Sequence, residues 1–227
     1  MEFMLDTIHL ADIERYAEMI ELGGVTSNPS IIKKEGKIAF FDHMKEIKRI
    51  IGKQASLHVQ VTAVDFDGIL REAEAIRTKI DEAVYIKVPV NSVGLKAIKR
   101  LKTEGANITA TAIYSSFQGY LAMAAGADYL APYFNRMENL NIEPRQVIAE
   151  FAEMIDRYEK PSKILAASFK NVGQVNAAFA AGAQAATMGA DILDQALAMP
   201  SISKAVDDFN ADWAAIFGED TPIDALK

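Results

Sequence analysis

The strongest constraint on this chain is a rhythm that recurs from end to end. A short apolar run is followed by a polar or Gly/Pro turn, then by ten to fifteen residues with helical periodicity, then by the next apolar run. Eight such runs read as strands: FMLD at 3–6, GVTS at 24–27, LHVQV at 57–61, VYIKV at 84–88, NITAT at 107–111, DYLAP at 128–132, KILAAS at 163–168 and AATMG at 185–189. Strands that alternate with helices are joined by crossovers and so lie parallel. Eight βα units in 227 residues predict an α/β fold, a single-domain TIM (β/α)8 barrel spanning 1–227, with a C-terminal helical extension at about 201–217. A doubly wound open sheet is the competitor, but its dinucleotide-binding version would carry G-x-G-x-x-G after an early strand, and the chain has none. No linker or low-complexity tract marks a second domain.

The intervening stretches have the expected faces. In SVGLKAIKRLKTEG, residues 92–105, Leu95, Ile98 and Leu101 share one side, and Lys96, Lys99, Arg100 and Lys102 the other. Gly24, Gly105, Gly126 and Gly182 precede strands and are expected to cap helices in the left-handed conformation.

Strand parity singles out one residue. In VYIKV, Val84, Ile86 and Val88 share a face suited to packing on helices, which leaves Tyr85 and Lys87 on the face that a barrel turns to its axis. LHVQV directs His58 and Gln60 inward in the same way, and NITAT directs Asn107, Thr109 and Thr111 inward. Three successive strands thus send polar groups to an axis that is ordinarily filled with branched apolar side chains. Asp6, Gln60, Lys87 and Thr111 fall at the C-terminal ends of their strands, and Thr26, Asn28, Tyr133 and Ser168 at or just beyond theirs. That is the face on which barrel active sites are built. Taken alone, Lys87 is equally compatible with a lysine whose head reaches solvent at the rim, followed by a proline that ends the strand. Among neutral polar groups, however, a desolvated lysine has its pKa lowered, and its free amine becomes a nucleophile toward a carbonyl.

At these residues the chain resembles the transaldolase family, and most closely its small fructose-6-phosphate aldolase branch. The resemblance runs through LDT at 5–7, GVTSNPSII at 24–32, VQV at 59–61, IKVPV at 86–90, TATAIYS at 109–115, APYFNR at 131–136 and ILAASFK at 164–170, and so covers essentially the whole chain. It implies a class I aldolase with no cofactor and no metal, in which Lys87 forms a Schiff base with a sugar phosphate. It further implies that Asp6 and Asn28 bind hydroxyls or the amine of the intermediate. Thr111 and Gln60 would hold a catalytic water through which Tyr133 transfers protons. Arg136 and Ser168 would hold the substrate phosphate, and Thr26 and Ala131 would line the substrate site. Ser27 departs from the family pattern, where a second threonine is more usual.

Each residue also has a plainer reading. Asp6 could cap the helix that follows, TSNPS could be a turn with an N-cap, and Arg136 could be a solvated loop cation. Transaldolases proper resemble this pattern with glutamate at the position of Gln60 and phenylalanine at that of Tyr133. A carboxylate can relay protons, whereas an amide can only orient water, so Gln60 with Tyr133 favours aldolase over transaldolase chemistry. The expected reaction is cleavage or formation of fructose 6-phosphate from dihydroxyacetone and glyceraldehyde 3-phosphate. Transfer of a dihydroxyacetone unit between sugar phosphates is the alternative, and a non-catalytic sugar-phosphate-binding barrel a third.

Other chemistries find less support. A formal charge of −7 with no basic cluster argues against nucleic acid and an anionic membrane as partners, and the absence of cysteine rules out disulfides and thiolate metal sites. His9, His43 and His58 lack metal-ligand spacing, with His58 read as a hydrogen-bonded interior residue, and GVTSNPS lacks the lysine of a P-loop. MEFMLDTIHL has no basic region before an apolar run, and no segment approaches about 18 apolar residues, so a cytoplasmic location is expected. Phe209, Trp213 and Phe217 recur at helical spacing. They would form local core, but the resemblance implies packing on a neighbouring subunit in a ring-shaped homo-oligomer, of decameric size.

Overall fold

Each of the eight apolar runs carries a strand in the computed structural model, which describes residues 1–226. The strands are β1 (Glu2–Leu5), β2 (Gly24–Thr26), β3 (Ser56–Gln60), β4 (Tyr85–Pro89), β5 (Asn107–Ile113), β6 (Tyr129–Pro132), β7 (Lys163–Ala166) and β8 (Ala185–Met188). All pair in parallel and in chain order, and β8 pairs back onto β1 to close the barrel, which excludes the open sheet. Around it run α1 (Leu10–Met19), α2 (Pro29–Glu35), α3 (Phe40–Ile51), α4 (Phe66–Lys79), α5 (Ser92–Thr103), α6 (Ser116–Ala125), α7 (Phe134–Glu138), α8 (Pro144–Arg157), α9 (Val172–Ala180), α10 (Ala190–Leu197) and α11 (Pro200–Phe217).

The main core lies between barrel and helices. It takes the outward set of every strand, including Val25, Val59, Ile86, Val88, Ile108, Leu130, Ile164 and Ala186, as the parity requires. A small second cluster of Met4, Tyr129, Leu165 and Ala185, with Tyr85 against it, fills the lower barrel interior. Above it the axis is polar. On α5, Ala97, Ile98 and Leu101 are buried, and Lys96, Lys99 and Arg100 face solvent. Lys102 is held partly buried by Asp128 at 2.7 Å.

Gly105, Gly126 and Gly182 have the positive φ expected at helix ends, with values of 73°, 94° and 105°. Gly24 does not: α1 stops at Met19, and Gly24 opens β2. It is glycine because a Cβ there would stand 2.5 Å from the Ser56 carbonyl oxygen of the neighbouring strand.

Two connections hold an extra short helix, α2 between β2 and α3, and α7 between β6 and α8. Both follow the C-terminal ends of their strands, and so border the barrel mouth. α11 differs from the other long helices in burying none of its residues. Trp213 packs on Phe217 at 4.4 Å and donates from Nε1 to the Thr221 carbonyl at 2.7 Å, but Phe209 is 70% exposed. The three aromatics therefore do not form a local core. No helix of the described residues is long and apolar enough to cross a membrane.

Candidate active site

Lys87 is the inward residue near the top of β4, and it is 3% exposed. In the barrel register it stands level with Gln60 on β3 and Thr109 on β5. Thr111 lies one pleat higher, opposite Pro89. Of the two inward threonines of β5, Thr109 is thus the lateral neighbour of the lysine.

The layer beneath Lys87 is neutral and has a defined proton order. Ser56 Oγ donates to the Gly23 carbonyl at 3.0 Å, which spends its only hydrogen. It therefore accepts from His58 Nε2 at 2.8 Å, and His58 Nδ1 must in turn accept from Thr109 Oγ1 at 2.7 Å. The imidazole stacks on Tyr85 with centroids 4.6 Å apart. Burial, reinforced by the charge of Lys87, holds the His58 pKa well below its ordinary value, so the ring is neutral. His58 is the hydrogen-bonded interior residue expected. His9 meets Glu35 and His43 meets the Ile8 carbonyl, so the three histidines do not converge.

With only neutral groups in the layer directly beneath it, Lys87 has its pKa lowered by burial, against a smaller opposing pull from Asp6. That is the electrostatic setting of a nucleophilic amine. Asp6, one residue beyond β1, accepts from Thr26 Oγ1 at 2.6 Å. Since Thr26 has given its hydrogen to Asp6, it accepts from Thr187 at 2.7 Å. Asp6 caps no helix: α1 begins four residues later, at Leu10, behind His9. Asn28 does cap α2, its Oδ1 accepting from the Ser30 and Ile31 amides at 2.9 and 3.1 Å. Its side-chain NH2 remains available at the cavity wall. Ser27 is buried and donates to the His58 carbonyl, tying β2 to β3.

Tyr133 shares a hydrogen bond of 2.9 Å with Thr111. Burial raises its pKa, and Thr111 and the cationic Arg136 oppose that shift, so the phenol is protonated at neutral pH. Arg136 sits on α7, exposed at the barrel mouth, with its guanidinium carbon 4.6 Å from the Tyr133 ring centroid, so it is solvated but not without a partner. Ser168 adopts a left-handed φ of 65°, the kind of strain that collects at functional sites.

A polar cavity of about 230 Å3 brings six of the expected residues together: Asp6, Asn28, Lys87, Tyr133, Arg136 and Ser168. Thr26 and Thr111 stand behind it, holding Asp6 and Tyr133. Ala131 has the inward parity of Tyr129 and is 1% exposed, a small residue that leaves room at the axis. Gln60 flanks Lys87 in register but lines a separate, more apolar cavity of about 390 Å3 beside α2, and its Oε1 is buried without a protein partner. A larger hollow of about 830 Å3 lies between α11 and the segment after it, among none of these residues.

Some of the wall was not foreseen. Lys34, Lys170 and Asp191 also line the 230 Å3 cavity, from α2, the β7–α9 loop and α10. Tyr114 touches both Tyr133 and Arg136. Nothing in the local pattern distinguishes the three charged residues from ordinary surface charges, and Tyr114 is aimed by an irregularity of β5 that the alternation conceals.

Residues 3–226 match the family described as transaldolase/fructose-6-phosphate aldolase. The chain is also 59% identical over 216 residues to a probable fructose-6-phosphate aldolase of Streptococcus pneumoniae (strain ATCC 700669 / Spain 23F-1), covering 95% of this chain and 97% of that protein. A closed barrel with a buried lysine at its catalytic end, matched over nearly its whole length, belongs to the transaldolase/fructose-6-phosphate aldolase family.

Proposed function

We propose that the chain is a Schiff-base aldolase that cleaves fructose 6-phosphate to dihydroxyacetone and glyceraldehyde 3-phosphate, and forms it in reverse. The observation that carries this reading is Lys87, buried over a neutral layer, its pKa lowered, opening into a polar cavity opposite a protonated Tyr133.

The Lys87 amine adds to the substrate ketone, and loss of water leaves an iminium. The hydroxyl on the leaving side gives up its proton, the carbon–carbon bond breaks and its electron pair flows into the iminium, so that the aldehyde departs and an enamine remains on Lys87. Tyr133 serves as the acid/base group, working through a water that its partner Thr111 would hold, and Gln60 would join them by turning its amide from the neighbouring cavity toward the axis. Protonation of the enamine carbon and hydrolysis of the imine release dihydroxyacetone and the free lysine. Asp6 and Asn28 orient the donor hydroxyls. Arg136, with planar N–H donors, and the Ser168 hydroxyl receive the phosphate.

Gln60 with Tyr133, rather than glutamate with phenylalanine, supports release of the enamine over its transfer to an acceptor. Borohydride reduction in the presence of fructose 6-phosphate or dihydroxyacetone, followed by mass spectrometry, is expected to place the adduct on Lys87; an unmodified Lys87 would refute the mechanism. Turnover of fructose 6-phosphate alone is expected, and turnover that requires erythrose 4-phosphate would identify a transaldolase instead.

The same reading places the enzyme in the cytoplasm as a homo-oligomer. Support for assembly comes from α11, which exposes Ile202, Val206, Phe209 and Ile216. Sedimentation is expected to give a ring of subunits, and a monomer would refute this.

A further inference from the structure

Strand β5 is irregular where it reaches the barrel mouth. Its register with β6 shifts between Ala110 and Ile113, and Ala112 has a left-handed φ of 58°. A bulge of this kind adds one residue to a strand and re-aims those that follow, and a non-glycine residue is held in that conformation only where its surroundings demand it. Thr109 and Thr111 face the axis, and strict alternation would turn Ile113 inward after them. Instead Ile113 is in the outer core, and the next residue, Tyr114, reaches the site.

Tyr114 makes two contacts there. Its ring meets that of Tyr133 edge-on, with centroids 5.6 Å apart and planes at 81°. Its hydroxyl accepts from Arg136 Nη1 at 3.3 Å. A planar cation lying on an aromatic face can still rotate within its own plane, so the contact of Arg136 with the Tyr133 ring does not aim its N–H groups. A hydrogen bond at one edge stops that rotation. The other N–H groups of Arg136 are left for the cavity that it lines.

We propose that Tyr114 is a positioning residue, delivered by the bulge in β5, that aims the Arg136 fork at the substrate phosphate and braces the ring of Tyr133. The proposal rests on the reading of Arg136 as the phosphate ligand and Tyr133 as the acid/base group. Tyr114 thereby makes one rigid unit of the group that recognises the phosphate and the group that moves protons.

The test is steady-state synthesis from dihydroxyacetone with either glyceraldehyde 3-phosphate or unphosphorylated glyceraldehyde as acceptor. The readout is the ratio of kcat/KM for the two aldehydes. Tyr114→Phe keeps the ring and removes the acceptor. It is expected to lower the ratio by about 5- to 10-fold, the scale of one ordinary hydrogen bond, as suits an exposed contact of 3.3 Å, and to do so through KM for the phosphorylated aldehyde. Tyr114→Leu is expected to lower the ratio similarly and to reduce kcat with both aldehydes, because Tyr133 loses its brace. Arg136→Gln serves as the reference. If Arg136→Gln abolishes the preference and Tyr114→Phe leaves it unchanged, Tyr114 does not aim the arginine and the inference is wrong, while the phosphate site stands. If Arg136→Gln leaves the preference intact, the phosphate site itself is wrong and the inference falls with it.

Discussion

Gly94 carries a prediction that depends on packing alone. It is the third residue of α5, and its amide donates to the Asn91 side chain at 2.8 Å. A Cβ at Gly94 would stand 1.9 Å from the Pro89 carbonyl oxygen and 3.3 Å from a methyl of Val88. Gly94→Ala therefore requires the start of α5 and the end of β4 to separate by at least about 1 Å, given that non-bonded contacts of this type need more than about 3 Å. The helix is anchored by Ala97, Ile98 and Leu101, none more than 2% exposed, and the strand end carries Lys87 two residues before Pro89. Whichever side yields, core packing or the position of Lys87 changes. Overpacking costs about 1–3 kcal/mol, outweighing the gain of at most about 1 kcal/mol from better helix propensity. At about 3 °C per kcal/mol for a domain of this size, Tm should fall by several degrees. A displacement of about 1 Å at the reacting group can cost on the order of 100-fold in kcat. Gly173→Ala is the matched control, near the start of α9, where a Cβ would meet only the adjustable Asn171 Oδ1 at 3.1 Å. Its Tm should change little. Thermal unfolding and steady-state kcat on both variants decide the matter: wild-type melting and turnover in Gly94→Ala, or equal losses in the two variants, would refute the close-approach argument.

Lys87→Met should abolish turnover yet raise stability by about 1–4 kcal/mol, the range found when buried charges give way to apolar side chains of similar volume. The sign follows from linkage. The folded pKa of Lys87 lies below its unfolded value near 10.5, so its destabilising effect is complete below the folded pKa and disappears as pH rises toward 10.5. The advantage of the variant, measured by denaturant unfolding across pH, should narrow with rising pH; a gap that widens would contradict the burial of a charge. Gln60→Glu combined with Tyr133→Phe should shift product partition from free dihydroxyacetone toward transfer to erythrose 4-phosphate, which product analysis would reveal. Ser168→Gly relieves a left-handed conformation that costs about 1–2 kcal/mol, less about 0.5–1 kcal/mol for the freedom glycine has when unfolded. It should melt slightly higher than wild type while raising KM for fructose 6-phosphate, whereas Ser168→Ala keeps the strain and should show only the KM effect.

The barrel and the inward placement of Lys87 were readable because both rest on local periodicity. A period of two along VYIKV places Lys87 opposite Val84, Ile86 and Val88 whatever the partner strands do, and the structure has Ile86 and Val88 in the outer core with Lys87 inside. The neutral company of Lys87 was likewise visible in His58 and Gln60. Gly24 shows the limit of punctuation: its smallness answers the backbone of β3, some thirty residues away, and not the end of α1.

What alternation cannot convey is register. Whether Thr109 or Thr111 stands beside Lys87 depends on interstrand hydrogen bonds between β4 and β5, and each register is locally as good as the next. The bulge at Ala112 is invisible for the same reason, and with it the turn of Tyr114 toward Arg136. Proton order is more distant still. That Thr109 donates to His58 follows from Ser56 having given its hydrogen to Gly23, a chain that crosses three strands. The amino-acid sequence by itself determined the eight-fold βα alternation, the inward parity of the polar residues and the lysine among them, because these are properties of side chains a few positions apart. Only the tertiary structure decided which groups meet at the mouth, since close approach, register and hydrogen-bond direction are set by backbone that is remote in the chain.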